Sequence, residues 1–151
     1  MSTALSNFVN GALPVAASTG LTYNAQRNMY LTNGHTSSMG HTYFRGIQLS
    51  DRVAVIYDIG RGGYGCNPTF LNGVTVYCYD GTAKKIIGKW TPSPWAFYSD
   101  YLARKVAATL LYDYLKSQMK IQGVSISDSE LEQFAVKQIE AAVTNAPNQI
   151  A

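Results

Sequence analysis

Apolar positions change their spacing along this chain, and the change divides it. Between Leu21 and Trp90 they alternate with polar residues or form short unbroken runs, and tight-turn signals separate the runs. From Ser93 onward they recur every three or four residues, the helical period. The first twenty residues fit neither pattern. They are apolar at Leu5, Phe8, Val9, Leu13 and Val15, lack charge, and reach Pro14 after at most a short helical turn around Leu5–Val9. They read as a loosely structured arm suited to lying on a neighbouring subunit.

In the strand region, Leu21–Thr32 predicts one or two short strands, closed by Asn33-Gly34, a pair that tolerates positive φ. His41–Leu49 predicts the next strand, with Gly46 as a bulge. Arg52–Ile59 is nearly all apolar and β-branched, the signature of a strand buried on both faces, and belongs at the centre of the sheet. A glycine-rich loop over Gly60–Gly73 follows and closes at Asn72-Gly73. Gly73–Asp80 and Ala83–Trp90 then form a hairpin about Asp80-Gly81, and Lys85 and Lys89 mark its second strand as an edge. Short strands joined by tight turns predict an antiparallel meander of about five or six strands.

The first long helix is predicted from Ser93, a good N-cap followed by Pro94, to Gly123, a C-cap glycine. It is apolar on two sides. Trp95, Leu102, Val106 and Leu110 suit a sheet, while Leu111 and Leu115 suit a second helix. Ser127 and Glu130 form a capping box at the start of that helix, whose single stripe is Leu131, Phe134, Ala135, Ile139, Ala142 and Val143; Asn145 and Pro147 stop it. A narrow stripe leaves Tyr101, Ala108, Tyr112, Leu115 and Met119 as a short heptad-like seam, expected to be a subunit interface. The fold class is α+β, with the two antiparallel C-terminal helices packed on one face of the sheet. One domain is expected over 1–151, made of an arm at 1–20, a sheet at 21–92 and a helical layer at 93–146.

Composition adds that this surface is poorly charged. Charged residues make up 14% of the chain, against roughly 25% in soluble proteins. Tyr is abundant at 11 residues. Little charge repulsion and many tyrosines favour a homo-oligomer. The net charge of +3 is uneven: residues 1–92 carry seven Lys and Arg against three Asp and Glu, and residues 93–151 carry five against six. A weakly basic sheet region suits a small anion or nucleotide better than long nucleic acid. No window is apolar enough to span a membrane, and the first residues lack the basic start of a signal peptide, so a soluble cytoplasmic chain with reduced Cys66 and Cys78 is expected.

Candidate chemistry is sparse. Gly60, Gly62 and Gly65 match a dinucleotide-binding fingerprint, but the short stretch before Val74, containing Pro68, has no room for the crossover helix. Backbone amides around Gly62, Gly63 and Tyr64, with Arg61, could still form an anion nest. Arg45, Asp80, His35 and His41 complete the predicted ligand-binding set. Asp58, inside an apolar strand, requires a partner such as Arg52 or Arg45 if it is buried. Two histidines fall short of a metal site, and no cofactor is implied.

These residues predict a non-catalytic, oligomeric binding protein. It would sequester or sense a small anionic or nucleotide-like ligand, or inhibit a protein partner. One alternative is a small hydrolase or phosphoesterase using His35 and His41, each followed by Thr. Another is a structural subunit docked into a larger assembly through residues 1–20.

Overall fold

The computed structural model describes residues 3–13, 36–37, 40–48, 52–62, 69–80, 83–93 and 95–145. It is an α+β structure with an antiparallel sheet and C-terminal helices. Among the described residues the sheet order is β1 (Thr36–Ser37), β2 (Gly40–Gln48), β3 (Val53–Gly62), β4 (Thr69–Asp80) and β5 (Ala83–Trp90), each pairing with the next. The helices are α1 (Thr3–Ala12), α2 (Asp100–Gln122) and α3 (Asp128–Asn145). The sheet is leaner than the expected five or six full strands. β1 is two residues long, and the described wall facing the helices is made by β3, β4 and β5. Leu21–Thr32 and the Asn33-Gly34 turn lie outside the described residues.

β3 occupies the middle of that order, as its apolar run requires. Val53, Val55 and Tyr57 pair with Cys78, Val76 and Val74, and all six side chains are buried on the face that meets the helices. Two register shifts bend the sheet. Asn72 is the extra residue where Asp58 pairs with Gly73 and Ile59 with Leu71, and Ile87 is the extra residue where Val76 pairs with Gly88 and Tyr77 with Ile86. Asn72-Gly73 is therefore not a turn but a bulge inside β4. Gly46 is not a bulge, since pairing of β2 with β3 runs unbroken through it.

The long helix starts later than Ser93. Ser99 is its N-cap, with extended backbone (φ −147°, ψ 150°) and an Oγ that accepts from the Leu102 N–H at 3.0 Å. Tertiary pairing overrides the earlier cap. The Leu71 N–H donates to the Ala96 carbonyl at 3.0 Å and Phe97 bridges Phe70, so residues 95–98 run extended beside β4. Gly123 ends the helix in the left-handed region at φ 66°. Ala103, Ala107, Leu111 and Leu115, four residues apart, are fully buried along α2. α2 lies on β4 and β5. α3 packs against α2 instead of sharing the sheet, and its stripe of Leu131, Phe134, Ala135 and Ile139 joins the same core. Ser127 Oγ accepts from the Glu130 N–H at 3.2 Å, the cap its sequence announces.

α1 is the largest departure from expectation. Leu5, Phe8, Val9 and Ala12 recur at helical spacing, and all four are buried in the chain's own core together with Leu13. Arg52 and Tyr114 hold its C-terminal end. The guanidinium donates to the Leu13 carbonyl at 2.7 Å and to Asn10 Oδ1 at 2.8 Å, and the Tyr114 hydroxyl donates to the Ala12 carbonyl at 3.2 Å. A cation placed on the last carbonyls of a helix also suits its dipole. Residues 3–13 are thus internal structure.

Candidate functional site

One end of the sheet collects several of the expected ligand residues. The register sets His41 opposite Arg61 and Gly40 opposite Gly62, and Arg61 in turn opposite Thr69. Arg45 is opposite Tyr57, four residues back along the same strands. Asp80 does not join them. It pairs with Ala83 at the far end of β4, eleven residues beyond Thr69, or roughly 35 Å away at the rise of a strand. An antiparallel ladder separates what a parallel crossover would have brought together. His35, Gly63 and Tyr64 lie outside the described residues.

Beside this end is an aromatic group the sequence reading missed. Gly60 pairs with Phe70, and Phe70 bridges Phe97. The Phe97 ring stacks on Phe70 with centroids 5.7 Å apart and planes 18° from parallel. Trp95 meets both edge-on, at 4.6 Å from Phe97 and 5.8 Å from Phe70. Trp95 and Phe97 remain 56% exposed. Such rings offer flat apolar surface for stacking, and single contiguous exposed patches commonly serve binding. The signal was present: Trp-Ala-Phe-Tyr between Pro94 and Ser99 has strand composition and period two. Trp95 consequently stands in this extended lead-in, not on the sheet-facing side of a helix.

Asp58 lies two positions from Gly60 on β3. Burial raises its carboxyl above the usual carboxylate range, against the opposing hydrogen bond from the Asn72 side chain. Its Oδ1 is enclosed with no hydrogen-bond partner among the described residues. Of the two expected arginines, Arg52 is engaged with α1 instead. Gly60 makes room for the Asn72 amide: a Cβ there would stand 2.5 Å from Nδ2. The bulge at Asn72 thus delivers the one described partner of a half-buried acid.

The second place is the outer face of the α2–α3 hairpin, a groove of about 590 Å³. Tyr101, Ala108 and Tyr112 line it from α2, and Val136 and Ile139 from α3. Arg104, Lys105 and Asp113 border it on α2, with Glu132 and Glu140 on α3. Asp113 is exposed here. Of the expected interface residues, Tyr101 is 71% exposed and Ala108, Tyr112 and Met119 are half-buried. Leu115 is fully buried in the core and unavailable to another chain, because it faces α3. The Tyr112 hydroxyl donates to Asp128 Oδ1, and Lys116 Nζ donates to that hydroxyl at 3.2 Å and approaches Asp128 at 3.3 Å. Tyr112 and Lys116 hold the Asp128 carboxyl below the usual range, while the Asp128 hydrogen bond raises the Tyr112 phenol and the Tyr112 hydrogen bond raises Lys116.

Among the described residues, no three His, Cys, Asp or Glu side chains assemble as a metal site, and no helix is long and apolar enough to cross a membrane. No protein-family model, curated protein or solved structure matches the chain.

Proposed function

We propose that the chain is a non-catalytic binding protein, working as a homo-oligomer, that holds a small nucleotide-like anion at the Arg61 end of its sheet. The observation that carries this reading is the exposed Trp95–Phe97–Phe70 group at the end of the sheet where His41 pairs with Arg61 and Arg61 with Thr69. A nucleobase has a π-face that stacks on such rings whatever its hydrogen-bonding edge. A phosphate needs cations and backbone N–H groups, for which Arg61 and Gly62 are the described candidates. Neither half suffices alone, and their presence at one end of the sheet favours a ligand with both an aromatic ring and a negative charge. Sequestration or sensing is the corresponding role, and long nucleic acid is not implied by the modest net charge.

The test is a titration with AMP, GMP and inorganic phosphate, reading tryptophan emission and thermal shift. Trp95 is the more exposed of the two tryptophans, so a stacked base should quench it saturably. Both nucleotides should bind more tightly than phosphate, and Trp95→Ala or Arg61→Ala should weaken them roughly tenfold or more. A flat response to all three compounds up to millimolar concentration would end this reading.

A further inference from the structure

We infer that Asn72 determines which base stacks on Trp95 and Phe97, by accepting a hydrogen bond from its edge through the amide oxygen, with Asp58 as the residue that positions the amide. This rests on the ligand reading proposed above and sharpens it: the base must carry an N–H donor on its edge, as the exocyclic amine of adenine does. The register sets the placement. Phe70 bridges Phe97 and the Leu71 N–H donates to the Ala96 carbonyl, so one further step along this antiparallel pair sets Trp95 opposite Asn72. On its other side Asn72 leans over Gly60, where a Cβ would stand 2.5 Å from Nδ2 and 3.7 Å from Oδ1. Asp58 and Gly60 alternate along β3 with the buried Val55 and Tyr57, so they occupy the sheet face turned away from the helices. Phe70 pairs with Gly60 and shares that face, while its neighbour Leu71 is buried in the core. The carboxyl, the amide and the rings thus form one surface running across three chain segments, and Asn72 is exposed on it.

Asp58 fixes which end of the amide the ligand meets. A carboxylate has only acceptors, so it takes the Asn72 Nδ2 and leaves the Asn72 Oδ1 as the end presented outward. The hydrogen bond from Asn72 favours the charged form of Asp58, as a donor does. The Asp58 Oδ1 is itself enclosed, so the carboxyl acts through Asn72 and not on the ligand. Ring faces alone accept any base, because every base has a π-face. An amide free to flip would serve a donor or an acceptor equally. Held at one end, it favours a base that donates.

Titration of the full chain with AMP and with purine riboside monophosphate, which differs only in lacking the amine, tests this by tryptophan quenching. The wild type should bind AMP roughly three- to tenfold more tightly, the worth of one net hydrogen bond. Asn72→Ala should bring the two affinities together by weakening AMP alone. Asp58→Asn should narrow the gap, since a neutral amide pairs with either end of Asn72 and no longer fixes it. Far-UV circular dichroism checks that each variant is folded, and the wild-type comparison decides without either. Equal wild-type affinity for the two nucleotides would overturn the role of Asn72 and leave the stacked ligand in place. A gap that survives Asn72→Ala would do the same, and one unchanged in Asp58→Asn would overturn the positioning by Asp58. Binding of neither nucleotide would overturn the ligand reading and the role of Asn72 together.

Discussion

Gly88 on β5 lies directly beneath Leu110 on α2: a methyl group on the glycine would stand 3.0 Å from the leucine Cβ and 3.4 Å from its Cδ2. The helix therefore approaches the sheet at a distance set by an absent side chain. The contact is to the root of Leu110, which moves only with its backbone. Gly88→Ala should push α2 off β5 and cost about 1–3 kcal/mol, less the ~0.4–1 kcal/mol gained by stiffening the unfolded chain. Urea denaturation measures the balance. Leu110→Ala should give no rescue in the double variant, because it leaves the Cβ in place; a full rescue would show that the clash involves the leucine tip.

The hold of Arg52 on α1 predicts a local effect. Its guanidinium satisfies the Leu13 carbonyl and the Asn10 side chain together. Arg52→Ala should cost about 1.5–3 kcal/mol, the range for hydrogen bonds to a charged group. Arg52→Lys should recover only part, since a single ammonium lacks the two-pronged geometry. Hydrogen exchange should show the loss concentrated in the amides of residues 3–13. Uniform loss across the sheet would contradict this account.

Asp58 should make the protein more stable in mild acid than its other carboxylates alone would allow. Burial raises its folded pKa above the unfolded value of 3.8. Ionisation is thus a penalty fully present above the folded pKa, and it disappears as pH falls through that value towards the unfolded one. Asp58→Asn should match or exceed the wild-type Tm at neutral pH, with the difference closing near pH 4. A clear loss at neutral pH would mean that the carboxylate is being stabilised by its surroundings.

Asp128 has the opposite sign. Its folded pKa is depressed, so its contribution is fully present above the ordinary carboxylate range and is lost as pH falls through the depressed value. Asp128→Asn should lower Tm at neutral pH, and the gap should shrink below about pH 3. Lys116 mirrors it in alkali: its pKa is raised, so its contribution persists below the unfolded value and fades as pH rises through the raised one. A Tm difference independent of pH would assign the effect to the helix terminus and not to the charge.

Local signals account for what was legible in the chain. Gly123 after a long apolar period and Ser127 three residues before Glu130 each specify their conformation within a few residues, and the structure follows them. The misreadings occur where two local answers are equally good. Ser93-Pro94 and Ser99-Asp100 are both sound helix starts, and only pairing of Ala96 and Phe97 with β4 selects the second. Asn72-Gly73 suits a turn as well as a bulge, and the strand register decides it. At the candidate site, the neighbours of Arg61 along the chain were visible, but its cross-strand neighbours were not. Phe97 reaches Phe70 from 27 residues away, a closeness that no spacing rule contains.

The burial of α1 has a consequence for synthesis. Its helix emerges before the elements it packs on, and the Tyr114 hydroxyl that meets the Ala12 carbonyl lies 102 residues later. Until α2 has left the ribosome, Leu5, Phe8 and Val9 have no completed core to enter. Contacts closed over so long a separation are slow to form and leave sticky surface waiting. The chain is therefore vulnerable during translation at α1, and a stalled or truncated product lacking residues after 99 should be insoluble or chaperone-bound, with α1 as the segment that is held.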